Sequence, residues 1–272
     1  MNNIMVLGST SGAGKSTISA LLCKHFTLQG MNVSPFKAQN LSSKTFITPT
    51  GEEIGMSQAY QAWACKREPH WSMNPVLFKP GHESSMQIIL KGHPIADATS
   101  RDPSSREVFM SAVKDGYRVA SERSDIVVLE GSGGAAEINL SDRDIANMTT
   151  AELADAPVIL VGDIDRGGVF AGIYGTFMLL PPEKRIRIKS FIINRFRGDI
   201  SILEPGIERL EELLDIPCAG VLPYMKSQRI TEDLSDTNQE KHVWMKNLEE
   251  FYHISQGHLN YTLLEQIVAG NQ

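Results

Sequence analysis

The chain has 272 residues, 42% of them hydrophobic and 21% charged, which is the composition of a folded protein and excludes a disordered one. Its net charge of -6 argues against a broad basic face, so we expect no nucleic acid among its partners. No apolar run reaches the roughly 18 residues that predict a membrane span, and the first residues lack the basic segment of a secretory signal. The three cysteines are too few and too far apart in sequence for a disulfide framework or a zinc site. These features predict a cytoplasmic protein with no membrane partner.

Short apolar runs alternate with helical periodicity along the chain. The sequence predicts strands at residues 4–8, 32–36, 84–90, 125–129, 156–161, 186–193 and 217–221. It predicts helices at residues 14–28, 53–67, 168–180 and 203–214, and a further helix that Asp102 caps with Pro103 just inside. Strands that are apolar on both faces and separated by helices indicate a parallel sheet covered on both sides. The predicted fold class is therefore α/β, with a doubly wound, mainly parallel sheet.

The last part of the chain has a different pattern. Residues 228–240 are polar and predict a loop, which divides the chain into a domain at 1–227 and a tail at 228–272. Two short amphipathic helices are predicted after this loop, and we expect them to dock on the domain or on a partner rather than form a core of their own. Their apolar faces consist of Trp244, Leu248 and Phe251 in the first helix and of Leu259, Leu263, Leu264, Ile267 and Val268 in the second.

A glycine-rich segment between the first predicted strand and the first predicted helix carries the clearest chemical signal. Five residues separate Gly8 from Gly14, one more than in the pattern GxxxxGK[ST]. Glycines allow successive backbone N–H groups to face a polyphosphate, and the following helix contributes the positive end of its dipole. We expect Lys15 to contact the β- and γ-phosphates and Ser16 to ligate Mg²⁺. The predicted phosphate-binding loop (P-loop) consists of Gly8, Ser9, Thr10, Ser11, Gly12, Ala13, Gly14, Lys15, Ser16 and Thr17.

The P-loop predicts nucleotide binding and leaves ATPase, kinase, GTPase and ligase chemistry open, so the reaction has to be sought at the other strand ends. Lys37, Glu130, Asp163 and Asn194 each stand close to the carboxyl end of a predicted strand. Ligands of open α/β sheets bind at these ends. We expect Lys37 to neutralise a transferred phosphoryl group and Glu130 to ligate Mg²⁺. The amide of Asn194 suits recognition of an adenine edge.

Nine stretches resemble one family, the cobyric acid synthases of cobalamin biosynthesis, in their N-terminal synthetase domain. These stretches are GSTSGAGKST (8–17), SPFKAQN (34–40), TPTGEEIGMSQAYQAWA (48–64), MNPVLFKP (73–80), EGSGGAAEINL (130–140), DIAN (144–147), DIDRGGVFA (163–171), INRFRGD (193–199) and LEPGIERLEE (203–212). The longer P-loop also resembles that of dethiobiotin synthetase, a related enzyme that activates carboxylates. The resemblance implies a P-loop NTPase fold of the dethiobiotin synthetase type.

The resemblance also implies a reaction and a set of site residues. ATP would phosphorylate peripheral carboxylates of adenosylcobyrinic acid a,c-diamide, and ammonia would displace the phosphate to form amides. Residues 8–17 would hold the triphosphate, Ser16 and Glu130 would hold Mg²⁺, and Asn194 would contact the base. The catalytic residues implied are Lys15, Lys37, Gln39, Asn40 and Glu130, of which Lys37, Gln39 and Asn40 would face the transferred phosphoryl group and the acyl acceptor. Glu53, Lys79 and Asp163 are further candidates.

One departure from the family concerns the nitrogen source. The family carries a C-terminal glutaminase domain with a nucleophilic cysteine, which the residues after about 228 do not resemble, and none of Cys23, Cys65 and Cys218 lies in a nucleophile turn. The expected partners are a corrinoid, ammonia or a separate glutaminase, and a second copy of the chain in a homodimer.

Two other functions stay open: a nucleotide-switch ATPase of the partitioning type, although that class has a second lysine inside the loop, and an ATP-binding homologue without catalysis.

Overall fold

The computed structural model describes residues 2–80, 86–95, 103–225 and 237–270. The predicted helix cap at Asp102, the start of the strand predicted at 84–90 and most of the loop predicted at 228–240 lie outside the described residues. Within these ranges, no helix is both long enough and apolar enough to cross a membrane.

The main sheet contains six strands and is parallel throughout. Its strands are β1 (Asn2–Gly8), β2 (Val33–Phe36), β9 (Ile126–Glu130), β10 (Val158–Asp163), β11 (Ile188–Phe196) and β12 (Cys218–Pro223). They lie in the order β12-β11-β10-β1-β9-β2, with every neighbouring pair parallel. The prediction of a mainly parallel α/β sheet is confirmed, and all six strands fall where the apolar runs predict them.

Helices cover both faces of this sheet, which the alternation of side chains along β1 makes possible. The helices are α1 (Lys15–Leu28), α2 (Met56–Ala64), α3 (Pro103–Glu122), α4 (Met148–Leu153), α5 (Val169–Leu179), α6 (Pro182–Arg185), α7 (Glu204–Leu214), α8 (Thr237–Ser255) and α9 (Tyr261–Val268). Ile4 and Val6 of β1 belong to a buried cluster with α1, α8 and α9. Met5 and Leu7 point to the opposite face and belong to a cluster with α3, α5 and α7. The sheet is therefore doubly wound, as predicted.

Most of the chain between β2 and α3 builds a second region, of whose strands the sequence predicted only the one at 84–90, which the structure has as β7 over its described part. It contains β3 (Gln39–Leu41), β4 (Thr45–Ile47), β5 (Glu53–Gly55), β6 (Val76–Pro80), β7 (Met86–Leu90) and β8 (His93–Ile95). Strands β3, β6, β7 and β8 form a four-stranded mixed sheet, and β4 pairs with β5. This region begins two residues after Lys37 and therefore borders the carboxyl edge of the main sheet.

The helix predicted at 53–67 is shorter in the structure. Residues 53–55 form β5, and the helix occupies only Met56–Ala64. The backbone N–H of Gly55 donates to Asn74 Oδ1 at 3.0 Å, and Gly55 is extended (φ -65°, ψ 138°), so a tertiary contact ends the strand where the helix begins.

The C-terminal helices pack on the domain. Helix α8 begins at Thr237, so residues 237–240 are helical and the prediction that they belong to a loop is wrong. Leu248 and Leu264 are buried in the same cluster as the apolar residues of α1 between Ile18 and Phe26. The buried side chain of His25 on α1 joins the two helices, since its Nδ1 lies 3.0 Å from Tyr252 Oη and its Nε2 lies 2.8 Å from Glu265 Oε1.

Candidate active site

The P-loop connects β1 to α1 and has the backbone conformation that the glycines predict. Gly12 and Gly14 have φ angles of +74° and +100°, in the left-handed region that favours glycine. A Cβ atom on Gly14 would lie 2.1 Å from Asn194 Nδ2. Gly14 is the N-cap residue of α1, and no side chain among the described residues caps this helix end by a hydrogen bond. The N–H groups of the first turn of the helix therefore lack a side-chain cap, which is the arrangement that suits an anion.

Side chains from outside the P-loop donate hydrogen bonds to its carbonyl groups. Ala13 O accepts from Asn194 Nδ2 at 2.9 Å, and Gly12 O accepts from Arg195 Nη1 at 2.9 Å. Arg195 Nη1 also contacts Asp163 Oδ2 at 2.6 Å. Because Asp163 pairs with Asn194 across β10 and β11, these groups meet at one point of the sheet edge. When the N–H groups of such a loop face an anion, its carbonyls turn away and need other donors, which Asn194 and Arg195 supply.

Two lysines and one glutamate form a buried charged cluster beside the loop. Lys37 follows β2 directly and Glu130 ends β9, and the register of these strands pairs the two preceding residues. Lys37 Nζ consequently lies 2.6 Å from Glu130 Oε1, with 6% and 1% of the two residues exposed. Ser16 Oγ donates to the same Oε1 at 2.7 Å. Lys15 Nζ donates to Gly133 O at 2.6 Å and to Thr10 O at 3.2 Å.

Burial and the neighbouring charges shift the pKa values of Lys15 and Glu130 in this cluster. Burial lowers the pKa of Lys15 from 10.5 to about 8, with a smaller lowering from Lys37 and an opposing effect of Glu130. Burial alone would raise the pKa of Glu130, but the charge and hydrogen bond of Lys37 and the hydrogen bonds from Ser16 and Gln61 hold it below its ordinary value. The site therefore holds an ionised carboxylate, and its Lys15 titrates near physiological pH.

Gln61 belongs to this cluster as well, although no feature of the sequence pointed to it. Its Nε2 donates to Glu130 Oε2 at 2.6 Å and to the backbone oxygen of Ser16 at 3.2 Å. Gln61 lies on α2, a helix of the second region, and is 1% exposed. No short-range pattern marks a glutamine inside a helix, because the partner carboxylate is 69 residues away in the chain.

Asn147 is a second residue that sequence reasoning missed. It orders the glycine turn after β9, since its Oδ1 accepts from Ser132 N at 2.9 Å and its Nδ2 donates to Ser132 O and Gly134 O. This turn supplies the Gly133 carbonyl that Lys15 contacts. The motif DIAN marked the segment by resemblance, but nothing in it pointed to the turn.

Other predicted site residues lie in the second region. Gln39 is half-buried on β3, whereas Asn40 is buried and its Nδ2 donates to Gln58 Oε1 at 2.9 Å. Glu53 and Lys79 form an ion pair of 2.7 Å between β5 and β6. The structure thus brings Lys15, Ser16, Lys37 and Glu130 together and places Asn194 at the P-loop. The catalytic roles of Gln39 and Asn40 and the contact of Asn194 with a base stay predictions.

The oxygen atoms of the cluster suit a magnesium ion that is shared with phosphates. Among the described residues, no group of three or more His, Cys, Asp or Glu side chains could hold a metal by itself. Ser16 Oγ and Glu130 Oε1 lie 2.7 Å apart and offer a hydroxyl and a carboxylate. Mg²⁺ commonly takes one or two such protein ligands and completes its shell with phosphate oxygens and waters, so this donor set fits.

Comparison with known proteins agrees with the geometry. The family model described as the CobQ/CobB/MinD/ParA nucleotide binding domain matches residues 4–234. The chain therefore belongs to this family of nucleotide-binding domains.

Individual relatives carry a more specific name. The chain is 45% identical over 273 residues to the cobyric acid synthase of Alkaliphilus metalliredigens, covering 98% of this chain and 54% of the relative. It is 47% identical over 234 residues to the cobyric acid synthase of Clostridium botulinum strain Loch Maree, covering 86% of this chain and 48% of the relative. The chain thus spans about half the length of these relatives.

A crystal structure of the signal recognition particle receptor FtsY from Elizabethkingia anophelis matches 92% of the chain and 65% of its own length, with 15% identity and a TM-score of 0.49. A likeness this weak supports no inference about function.

Proposed function

We propose that the chain is the ATP-dependent part of an amide-forming ligase that activates peripheral carboxylates of adenosylcobyrinic acid a,c-diamide. The observation that carries the proposal is the buried cluster in which a second lysine, Lys37, joins Lys15 and Glu130 beside the P-loop. A phosphoryl group that moves to a carboxylate brings two anions together, and two buried ammonium groups offset this repulsion. The identity to cobyric acid synthases supports the corrinoid as substrate.

The reaction has two steps. A carboxylate oxygen of the substrate attacks the γ-phosphorus of ATP, and the bond from this phosphorus to the bridging oxygen breaks, releasing ADP and leaving an acyl phosphate. The nitrogen of ammonia then attacks the acyl carbon, the bond from that carbon to the phosphate oxygen breaks, and a proton leaves the nitrogen. Lys15 and Lys37 would neutralise the charge on the phosphoryl oxygens in the first step and on the departing phosphate in the second.

The nucleotide would be held by the groups at the strand ends. The N–H groups of the P-loop would face the triphosphate, and Ser16 and Glu130 would hold Mg²⁺, which neutralises phosphate charge when bound. Asn194 uses one N–H on Ala13 O, so its second N–H is the donor that it would offer to the base. Ammonia would come from solution or from a glutaminase, either as a separate chain or as a further part of the same protein.

The test is mass spectrometry of the corrinoid a,c-diamide after incubation with the protein, ATP, Mg²⁺ and ammonium chloride. The proposal predicts ATP-dependent replacement of carboxylate by amide, lost in Lys15→Ala and retained in Lys114→Ala, a control on the exposed face of α3. ATP hydrolysis that is stimulated by DNA or by vesicles, without amide formation, would contradict the proposal and favour the nucleotide-switch alternative. ATP binding without turnover of any substrate would contradict it in favour of a homologue without catalysis.

A further inference from the structure

Gln61 contacts both residues that would hold the metal ion. Its Nε2 donates to Glu130 Oε2, while Ser16 and Lys37 both donate to the other carboxylate oxygen, Oε1. The same Nε2 reaches the backbone oxygen of Ser16, in the first turn of α1. One amide nitrogen on α2 thus connects the end of β9 to the start of α1.

The orientation of this amide is determined by its surroundings. Both atoms in contact with the amide are acceptors, a carboxylate oxygen and a carbonyl oxygen, so the nitrogen has to face them. Gln61 Oε1 consequently points elsewhere and is buried without a hydrogen-bond partner among the described residues. A buried acceptor without a donor costs free energy, and an apolar side chain of similar length would avoid that cost. The favourable contribution of this glutamine is therefore the N–H group that it donates to Glu130.

We infer that Gln61 is the positioning residue of the metal site: by holding Glu130 Oε2, it directs Oε1 toward Ser16. This inference rests on the proposed function, in which Ser16 and Glu130 ligate Mg²⁺. Residues that orient a metal ligand affect metal affinity by roughly 10- to 100-fold in other proteins, without contacting the ion. Gln61 also ties the metal site to the second region, because α2 belongs to that region.

The inference is tested by Mn²⁺ binding, measured by electron paramagnetic resonance on the full chain with a non-hydrolysable ATP analogue. Gln61→Met keeps the length of the side chain and removes the donor, and should weaken Mn²⁺ binding by about 10- to 100-fold. The affinity for the analogue without metal should stay unchanged, since Gln61 contacts the P-loop at the carbonyl oxygen of Ser16 and not at the N–H groups that would face the phosphates. Gln58→Met is the matched control, because Gln58 is a buried amide of the same helix whose described hydrogen bonds go to Asn40 and Ser57.

The outcomes separate the inference from the function on which it rests. Unchanged Mn²⁺ affinity in Gln61→Met, with a loss in Glu130→Gln, would overturn the role of Gln61 and leave the metal site intact. Equal losses in Gln61→Met and Gln58→Met, or a parallel loss of metal-free nucleotide binding, would also overturn it, because the effect would then be general to α2. Unchanged affinity in Glu130→Gln would contradict the metal site of the proposed function itself.

Discussion

Replacing Glu130 with glutamine should destabilise the folded protein by about 3–5 kcal/mol, because it leaves a buried ammonium group without its counter-ion. Glu130 is 1% exposed and Lys37 is 6% exposed, so water can solvate the remaining ammonium group only poorly. The three side chains that contact the carboxylate, those of Lys37, Ser16 and Gln61, all donate to it. A glutamine offers one acceptor and turns an N–H toward at least one of these donors, which adds to the loss.

The measurement is urea-induced unfolding at neutral pH without nucleotide, followed by circular dichroism for the wild type and the variant. Glu130 has a lowered pKa, so the stability that it contributes is present above the pKa of an unfolded glutamate and is lost only when the pH falls through the folded value. Neutral pH therefore reports its full contribution.

Two further variants make the comparison specific. Glu122→Gln breaks an exposed pair with Arg118 and should change the free energy of unfolding by about 0.5 kcal/mol or less. Lys37→Met combined with Glu130→Gln should recover part of the loss, since the ammonium group that Glu130 contacts directly is removed together with the carboxylate. A loss below about 1 kcal/mol in Glu130→Gln would show that Lys37 and Glu130 do not form a buried ion pair, because removing one partner of such a pair costs more than that.

The affinity for a fluorescent ATP analogue should fall as the pH rises above about 8, because Lys15 loses its proton there and a bound polyphosphate favours the charged form; equal affinity at pH 7 and pH 9 would contradict the lowered pKa. Gly14→Ala should abolish binding of the same analogue, since φ is +100° and the new Cβ would collide with Asn194; binding at wild-type affinity would show that the loop is not constrained. His25→Phe should lower the free energy of unfolding in urea by about 1–3 kcal/mol through loss of its contacts with Tyr252 and Glu265, and a neutral effect would mean that these contacts do not hold the C-terminal helices.

The main sheet could be predicted from the sequence because its strands are buried on both faces. A run such as residues 156–161 is apolar at every position, and flanking helical patterns separate it from the next run. Most of the second region lacks this signal, and only β7 lies in an apolar run that predicted a strand. Its strands β3, β4 and β5 have three residues each, include polar residues such as Gln39 and Glu53, and take their conformation from pairing with distant segments.

The site could be predicted in part for a related reason. Lys37 and Glu130 are adjacent because parallel strands end at one edge, a rule that needs only the order of elements. Gln61 and Arg195 could not be found this way, since their roles depend on the side-chain contacts that tertiary packing creates. Asn194 illustrates both cases: its place at the sheet edge was predictable, and its hydrogen bond to the P-loop was not.

In the proposed reaction, the terminal phosphoryl group of ATP passes to a carboxylate of the substrate before nitrogen enters. The most direct measurement uses a corrinoid a,c-diamide whose carboxylates carry ¹⁸O, incubated with the protein, ATP, Mg²⁺ and ammonium, and followed by mass spectrometry of the inorganic phosphate. An ¹⁸O atom should appear in phosphate for every amide formed, because the carbon–oxygen bond of the acyl phosphate breaks in the second step. Amide formation that releases only unlabelled phosphate would contradict it.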